Sequence, residues 1–259
     1  MSASARISIL MYHQVGEFAP MKAHRANYCD QGRFASQMGF LSRFGYRVLD
    51  LDDALRCLRG EEPVPPRAVV LTFDDAYEGF IEYALPALER YGFPATVYAI
   101  SGYLGRRAEW FAKDPGRPVP RLMSPEQIRE IRRHGIGIGS HTANHLKLGK
   151  IPPAVQQDEL TASKAALEDL LGEEIRHLCY PYGSFDLEAV RAAAKAGYAS
   201  ATSCLRGPAE PVDHPLLLPR KAISFGDNLL GYLWKLSVKN TPKPKLVEWR
   251  RRLAAEPLC

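Results

Sequence analysis

Residues 69–75, a Val-Val-Leu-Thr-Phe run that ends in Asp74 and Asp75, constrain the fold of this chain more than any other stretch. The apolar, β-branched run predicts a buried strand, typical of a parallel sheet. Because neighbouring side chains on a strand point to opposite faces, both aspartates can serve one site only where the strand ends and the backbone turns. The pair is therefore expected at the carboxyl end of a strand, where α/β folds place their chemistry. One metal ligand plus one base fits adjacent carboxylates better than a glycosidase pair, whose two groups flank a sugar from separated positions.

Strand-like and helical patterns alternate along the chain. Further strands are predicted at 7–12, 95–100, 136–140, 177–180, 199–202 and 216–219. Helices are predicted at 34–44, 49–58, 77–91, 124–134, 153–171, 186–196, 228–236 and 245–254. This alternation implies a parallel sheet with right-handed crossovers. A single distorted (β/α) barrel of about seven units is favoured, with a doubly wound sheet as the alternative. The barrel is expected over residues 1–227 and a basic helical extension over 228–259.

Composition limits the functional classes. With 46% hydrophobic and 24% charged residues, the chain is typical of a soluble globular protein. The net charge of +5 comes without a basic–aromatic repeat, so no nucleic-acid partner is expected. Five scattered cysteines without a C-x-x-C spacing indicate a reducing compartment rather than a disulfide framework. No stretch resembles a signal peptide or a membrane span, so a cytoplasmic location is expected.

A second group of polar residues follows the strand predicted at 136–140. His141 and His145 are separated by four positions, a spacing that places both rings on one face if the chain turns helical there. Two histidines near a loop are as often plain polar surface. Beside Asp74 and Asp75 at another strand end, two imidazoles and one carboxylate form a three-ligand metal site with open positions, which is a catalytic arrangement.

Three motifs occur in a diagnostic order, and together they resemble a known family. They are Thr-Phe-Asp-Asp at 72–75, Ser-His-Thr-Ala-Asn-His at 140–145 and Tyr-Pro-Tyr-Gly at 180–183. The chain resembles the polysaccharide deacetylase family, carbohydrate esterase family 4 with the NodB-homology domain. Met-Tyr-His-Gln-Val at 11–15, Gly-Tyr at 45–46 and Leu-Pro-Arg at 218–220 are similar to the poly-N-acetylglucosamine deacetylase branch.

The resemblance implies a role for each matching residue. Asp75, His141 and His145 would hold a divalent metal, most often zinc in this family, and Asp74 would be the general base. The backbone N–H of Tyr182 would hold the oxyanion. The implied fold is a distorted (β/α) barrel, and the implied reaction is hydrolysis of an acetamide on a hexosamine.

Two departures from the family pattern concern the proton chemistry. Many members brace the base with an arginine where this chain has Cys179; Arg220 is the candidate substitute, with a surface ion pair as the alternative. The late Leu-x-His that supplies the general acid has no match, and His214 is the only later histidine. His13 ends the first strand and is the candidate acid, with a structural histidine as the alternative.

Two further segments are open to more than one interpretation. Trp110 and Phe111, in the irregular stretch 102–122, could stack on a sugar ring or pack into the core. Residues 235–252 carry seven basic residues against Glu248 and follow an apolar segment. This pattern fits a terminal helix with a solvated basic face, or peripheral contact with the inner face of a membrane.

Three functions are consistent with the sequence. The first is a metal-dependent N-deacetylase acting on an aminosugar. The second is a deformylase or other deacylase of a lipid-linked sugar. The third is an inactive carbohydrate-binding relative, against which the four intact residues Asp74, Asp75, His141 and His145 argue.

Overall fold

The computed structural model describes residues 5–112 and 117–256. Its strands are β1 Ser8–Tyr12, β2 Gln14–Gly16, β3 Tyr28–Asp30, β4 Arg47–Leu49, β5 Ala68–Phe73, β6 Thr96–Ala99, β7 Gly137–Ser140, β8 His177–Cys179, β9 Ser200–Thr202 and β10 Lys221–Ala222. Its α-helices are α1 Gln31–Arg43, α2 Leu51–Leu58, α3 Leu85–Tyr91, α4 Pro125–Arg133, α5 Pro153–Leu171, α6 Leu187–Lys195, α7 Leu229–Ser237 and α8 Pro244–Ala255.

The main sheet is parallel and curled. Within the described residues it has eight strands in the order β10-β1-β5-β6-β7-β8-β9, with β4 paired to the start of β5, while β2 and β3 form a separate parallel pair. Leu218 donates its backbone N–H to Ala201 O at 2.8 Å, and Lys221 then pairs with Leu10. This segment links β9 to β1 and brings the ends of the sheet together. The predicted distorted (β/α) barrel is confirmed.

Strand β5 lies inside the sheet, between β1 and β6, and is buried on both faces. Val69, Leu71 and Phe73 belong to the large cluster that also contains residues of the surrounding helices. Val70 points to the other face and joins a second cluster with Ile9. Burial on both faces explains why this segment is a continuous apolar run instead of an alternating one.

Most helix boundaries follow from local chemistry. Ser124 and Gln127 form a capping box at the start of α4: Ser124 Oγ accepts the Gln127 N–H, and the Gln127 side chain accepts the Ser124 N–H at 2.7 Å. Gly92 and Gly172 end α3 and α5 with φ of 61° and 70°, where a side chain would be strained. These predicted ends are confirmed.

Two predicted elements differ from the structure. The helix predicted at 77–91 begins as a π-helical segment, Phe80–Ala84, and becomes α-helical only at Leu85–Tyr91. The strand predicted at 216–219 is wrong: Pro215–Leu217 form a 3-10 turn, and the strand pairs later, at Lys221–Ala222. Prolines 215 and 219 lack the N–H that a sheet ladder needs, which explains the second difference.

The two C-terminal helices are anchored by apolar side chains. Tyr232, Leu246, Trp249 and Leu253 are buried in the same cluster as the outer face of β5. The Trp249 ring lies 5.0 Å from the ring of Phe185. Residues 257–259 of the predicted extension and 1–4 of the predicted barrel lie outside the described residues. In the described part of the chain, no helix has the length and hydropathy needed to cross a bilayer.

Candidate metal and catalytic site

The predicted turn after β5 places two carboxylates at the carboxyl edge of the sheet. The Asp74 N–H still donates to Tyr12 O at 2.9 Å, as a continuation of the β1–β5 pairing. The backbone then turns sharply, because Asp75 and Ala76 have φ of 74° and 56°. Left-handed φ at two successive non-glycine residues is uncommon, and such strain is characteristic of functional sites. Both carboxylates are buried.

The histidine pair follows β7 but does not lie on a helix. Thr142 and His145 adopt left-handed φ of 66° and 56°, so the helical spacing argument is wrong although both rings reach one site. Glu159 on α5 fixes this loop by accepting two hydrogen bonds from Asn144, at 2.8 Å from its backbone N and 2.6 Å from its side-chain amide. Thr142 Oγ1 accepts the His145 N–H at 3.1 Å.

The loop that follows β6 packs closely against the loop that carries His141 and His145. Gly102 donates its N–H to Ala143 O at 2.9 Å. A Cβ at Gly102 would lie only 2.6 Å from that oxygen, so a side chain here would displace the loop that carries the two histidines.

Three ligand atoms converge on one point. Asp75 Oδ1 lies 3.3 Å from His141 Nε2 and 3.2 Å from His145 Nε2, and all three side chains are buried. Within the described residues, Asp75 Oδ1 has no hydrogen-bond partner of acceptable geometry. A buried carboxylate oxygen left without a donor, between two imidazole nitrogens, fits a divalent cation.

Supporting contacts orient these ligands. His141 Nδ1 lies 2.8 Å from Cys179 O, an arrangement in which the N–H donates to the carbonyl and Nε2 keeps its lone pair for a metal. The Tyr77 hydroxyl donates to Asp75 Oδ2 at 2.7 Å and leaves Oδ1 facing the histidines. Tyr77 was not identified from the sequence. The available signal was its position, two residues after Asp75 and beyond a sharp turn.

The pKa shifts of Asp75 and His145 favour the forms that bind a metal. Burial by itself raises the pKa of Asp75, but the neighbouring His145 and His141 rings outweigh it and hold the pKa well below its usual value. Burial lowers the pKa of His145 and favours the neutral ring. At His141 burial lowers the pKa, but Cys179 and Asp75 outweigh it and raise the pKa well above its usual value. An ionised carboxylate and a neutral imidazole ligate metal ions as they are, whereas His141 would release a proton on binding one.

Asp74 is held by a separate cation. Arg220 is 1% exposed, and its Nη1 and Nη2 donate to the two oxygens of Asp74 at 2.6 and 2.8 Å. Arg220 Nε also donates to Ser203 O at 3.0 Å. Such a bidentate pair fixes the orientation of the carboxylate as well as its charge. Burial raises the pKa of Asp74, but the charge and hydrogen bonds of Arg220 outweigh that effect and lower it below 3.8.

A second group of possible ligands is excluded by this arginine. Asp74, His141 and Cys179 also bring ligand atoms close together. However, Arg220 Nη2 lies 3.0 Å from Cys179 Sγ while the guanidinium covers both oxygens of Asp74. A metal ion there would face a buried positive charge, so the two adjacent aspartates have different surroundings.

The candidate proton donor lies on the other side of Asp74. His13 follows β1, and its Nε2 is 3.8 Å from Asp74 Oδ2. Its Nδ1 is buried without a hydrogen-bond partner in the described residues, which removes the alternative of a histidine bonded to backbone through that atom. His214, the other candidate, accepts the Leu216 N–H on Nδ1 at 3.1 Å and so caps a turn.

Aromatic rings border the metal ligands on two sides. Trp110 and Tyr182 have ring centroids 4.4 and 4.5 Å from that of His145. Tyr182 has a φ of 58° and is half-exposed. Phe111 is buried, so core packing is the correct interpretation for it, whereas Trp110 lies at the site. Partly exposed rings beside a polar cluster suit the stacking of a sugar.

Comparison with known proteins identifies the class that this barrel and its carboxyl-edge cluster define. The family model for polysaccharide deacetylase matches residues 61–201, more than half of the chain. The chain belongs to the polysaccharide deacetylase family. The matched residues include Asp74, Asp75, His141, His145 and Tyr182.

Individual relatives agree with this assignment. Protein YxkH of Bacillus subtilis (strain 168), whose name places it among polysaccharide deacetylases, is 28% identical over 222 residues, covering 86% of this chain and 73% of the relative. The poly-beta-1,6-N-acetyl-D-glucosamine N-deacetylase of Staphylococcus aureus (strain MSSA476) is 26% identical over 216 residues, covering 80% and 71%. The structure of the Streptococcus pyogenes deacetylase PplD, in complex with acetate, superposes with a TM-score of 0.78 at 25% identity, covering 91% and 100%.

Proposed function

We propose that this chain is a metal-dependent hydrolase that removes an N-acetyl group from an aminosugar in a polysaccharide or glycolipid pathway. The proposal depends on one observation: Asp75, His141 and His145 converge on a single point beside Asp74, which Arg220 braces separately. The family supports a carbohydrate substrate, and the S. aureus relative is named for poly-beta-1,6-N-acetyl-D-glucosamine.

The three converging residues would hold the metal. Two imidazole nitrogens and one carboxylate oxygen are donors that Zn²⁺ favours, and three protein ligands are typical of catalytic zinc sites, which keep a position open. When bound, such an ion polarises the acetyl carbonyl and lowers the pKa of water from about 16 towards 7 in favourable cases.

The chain's own residues would carry the protons. Asp74 accepts a proton from the attacking water, whose oxygen bonds to the acetyl carbon, while Arg220 holds the Asp74 carboxylate in place. The backbone N–H of Tyr182 donates to the oxygen that becomes negative. His13 gives a proton to the sugar nitrogen as the carbon–nitrogen bond breaks. The products are acetate and a free amino sugar.

Metal removal tests the proposal directly. Acetate release from N-acetylglucosamine oligomers is measured before and after chelation, and again after adding back single divalent metals, with bound metal measured by elemental analysis. Activity is expected to disappear with the metal and to return most fully with Zn²⁺. An enzyme that stays fully active without bound metal would refute the proposal.

The same assay separates the two alternatives. A deformylase or other deacylase would release formate or a longer acid, or would require a lipid-linked substrate. The exposed apolar residues of α7 favour examining that class of substrate. An inactive carbohydrate-binding relative would bind the oligomers without releasing any acid. The buried Arg220–Asp74 pair argues against an inactive relative. In this pair Arg220 takes over the bracing of the base that the cysteine at position 179 cannot provide.

A further inference from the structure

Helix α7 presents an apolar face to solvent. Leu230, Trp234 and Val238 follow one another at four-residue spacing and are 76%, 52% and 52% exposed. Leu229 and Leu233 form a second exposed row beside them. Monomeric soluble proteins seldom expose large contiguous apolar patches, and such patches mark interaction surfaces. We refer to these five residues as the α7 face.

The opposite side of α7 is firmly packed. Tyr232 and Leu236 are buried in the main core, and the Tyr232 ring lies 6.2 Å from that of Phe40 on α1. Asn228 caps the helix by accepting the Gly231 N–H at 2.9 Å. The helix is therefore fixed on the barrel, and its outer face is a permanent feature of the surface.

A basic cavity adjoins the same helix. Its lining includes four cationic side chains, Arg206, Lys221, Lys235 and Lys239, and no carboxylate among the described lining residues. Lys221 is 2% exposed, and its Nζ donates to two neutral oxygens, Ser8 Oγ at 2.9 Å and Asn240 Oδ1 at 2.7 Å. Burial, with a contribution from the charge of Arg6, lowers the pKa of Lys221 to about 8. Asp227 pairs with Lys235 and neutralises one of the four charges.

Two residues of helix α8 do not contribute to a basic or apolar binding surface. Arg250 donates to Asp213 Oδ1 and Glu210 Oε2, each at 2.8 Å, and is mostly buried. Trp249 is packed into the core. Lys243, Lys245, Arg251 and Arg252 remain exposed, but Arg250 and Trp249 are not available to a binding surface on α8.

We propose that α7 attaches this protein to the surface of an anionic lipid bilayer. The α7 face enters the boundary between headgroups and acyl chains, and the basic cavity receives the phosphate of a lipid headgroup. An apolar helix face flanked by cationic residues is the arrangement that lies in this boundary and is attracted by anionic lipid. A second copy of the chain fits less well, because a two-fold contact would bring two positively charged cavities together.

Vesicle co-sedimentation of the full chain tests the proposal. Vesicles of phosphatidylcholine alone are compared with vesicles that also contain phosphatidylglycerol. Binding is expected with the anionic vesicles and is expected to weaken as salt increases. The double variant Leu230→Glu, Trp234→Glu should bind more than about tenfold more weakly. Lys239→Ala should bind about fivefold more weakly, as expected for one basic residue near an anionic surface.

Val212→Glu is the matched control, because Val212 is 62% exposed but lies outside α7. It should bind as the unmodified protein does. Thermal unfolding and acetate release from soluble oligomers should be equal in all these variants, which separates this proposal from the proposed function. Equal vesicle binding by the double variant and the unmodified protein would overturn the proposal. So would a dimer, seen by light scattering, that the double variant abolishes.

Discussion

Both ends of the barrel place histidine beside aspartate, but within the described residues only the carboxyl end brings three possible metal ligands together. At the carboxyl end, His141 and His145 direct their Nε2 atoms at the same oxygen of Asp75, and all three are buried. At the amino end, His177 begins β8, and its Nε2 lies 3.6 Å from Asp52 Oδ1.

In the amino-end group, both His177 nitrogens and the Asp52 oxygen that faces them already have partners. His177 Nδ1 lies 2.9 Å from Ser200 Oγ, and the Asp52 oxygen that faces His177 also accepts a hydrogen bond from Arg176 Nε at 3.0 Å. Asp52 is half-exposed. A cation would gain little here, since an arginine already neutralises the carboxylate and water reaches it.

This contrast shows what distinguishes a candidate metal site from a polar network built from the same residue types. The Asp75 carboxylate is not paired with Arg220, because Arg220 is bound to the adjacent Asp74. Asp75 Oδ1 therefore keeps its charge without a hydrogen-bond partner in the described residues. In (β/α) barrels the carboxyl edge carries chemistry and the amino edge carries stability, which agrees with this contrast.

The largest expected effect comes from removing the charge at Asp75. Asp75→Asn preserves the shape of the side chain but removes the anionic ligand. Metal affinity should fall by more than the roughly 100-fold that loss of a supporting residue costs, and acetate release should fall with it. Bound metal and turnover are measured together. The matched variant Asp52→Asn should keep both, and equal behaviour of the two variants would remove the distinction between the ends of the barrel.

Arg220→Met should have the next largest effect. It leaves Asp74 as an unpaired buried carboxylate, which costs about 3–5 kcal/mol of unfolding free energy. Turnover should fall because the base is no longer fixed. The double variant Arg220→Met, Asp74→Asn should recover part of the stability but no activity, as measured by urea denaturation and acetate release. A single variant with unchanged stability and turnover would show that the pair is dispensable.

His13→Gln should leave the stability of the fold nearly unchanged and should lower mainly the turnover rate. Loss of a general acid costs at least about 100-fold in rate. Bound metal, KM and unfolding free energy should remain close to those of the unmodified protein, because His13 contacts Asp74 and not the ligand set. Steady-state kinetics with metal analysis checks this. A loss of metal in His13→Gln would instead assign the residue a structural role.

Part of this site could be predicted from sequence because the controlling interactions are local. The apolar run of β5 and the alternation of side chains required a turn at Asp74 and Asp75, and the turn is present. The order of the three motifs then identified the family. Arg220 was a candidate because Cys179 leaves the base without its usual brace, although 146 positions separate it from Asp74.

Other parts depend on contacts that spacing cannot reveal. The four-residue separation of His141 and His145 suggested a helix, whereas the loop is fixed in left-handed conformations by hydrogen bonds from Asn144 to Glu159. The strand predicted at 216–219 was wrong because its apolar residues bridge β9 to β1 through a turn. Tyr77 was missed because its function appears only once the turn brings it back to Asp75.

The smallest expected effect lies at the amino end. The neighbouring His177 ring lowers the pKa of Asp52 below 3.8, against the opposing effect of burial. Because the folded pKa lies below the unfolded value, the stabilisation is present above pH 3.8 and is lost as the pH falls through the folded pKa. Asp52→Asn should therefore cost less than about 1 kcal/mol at neutral pH, as for other half-exposed pairs, and this difference should vanish in acid. Denaturant unfolding at both pH values measures it. Asp52→Asn is expected to leave acetate release unchanged. A large loss of acetate release in this variant would show that the two ends of the barrel are coupled and that the contrast between them is wrong.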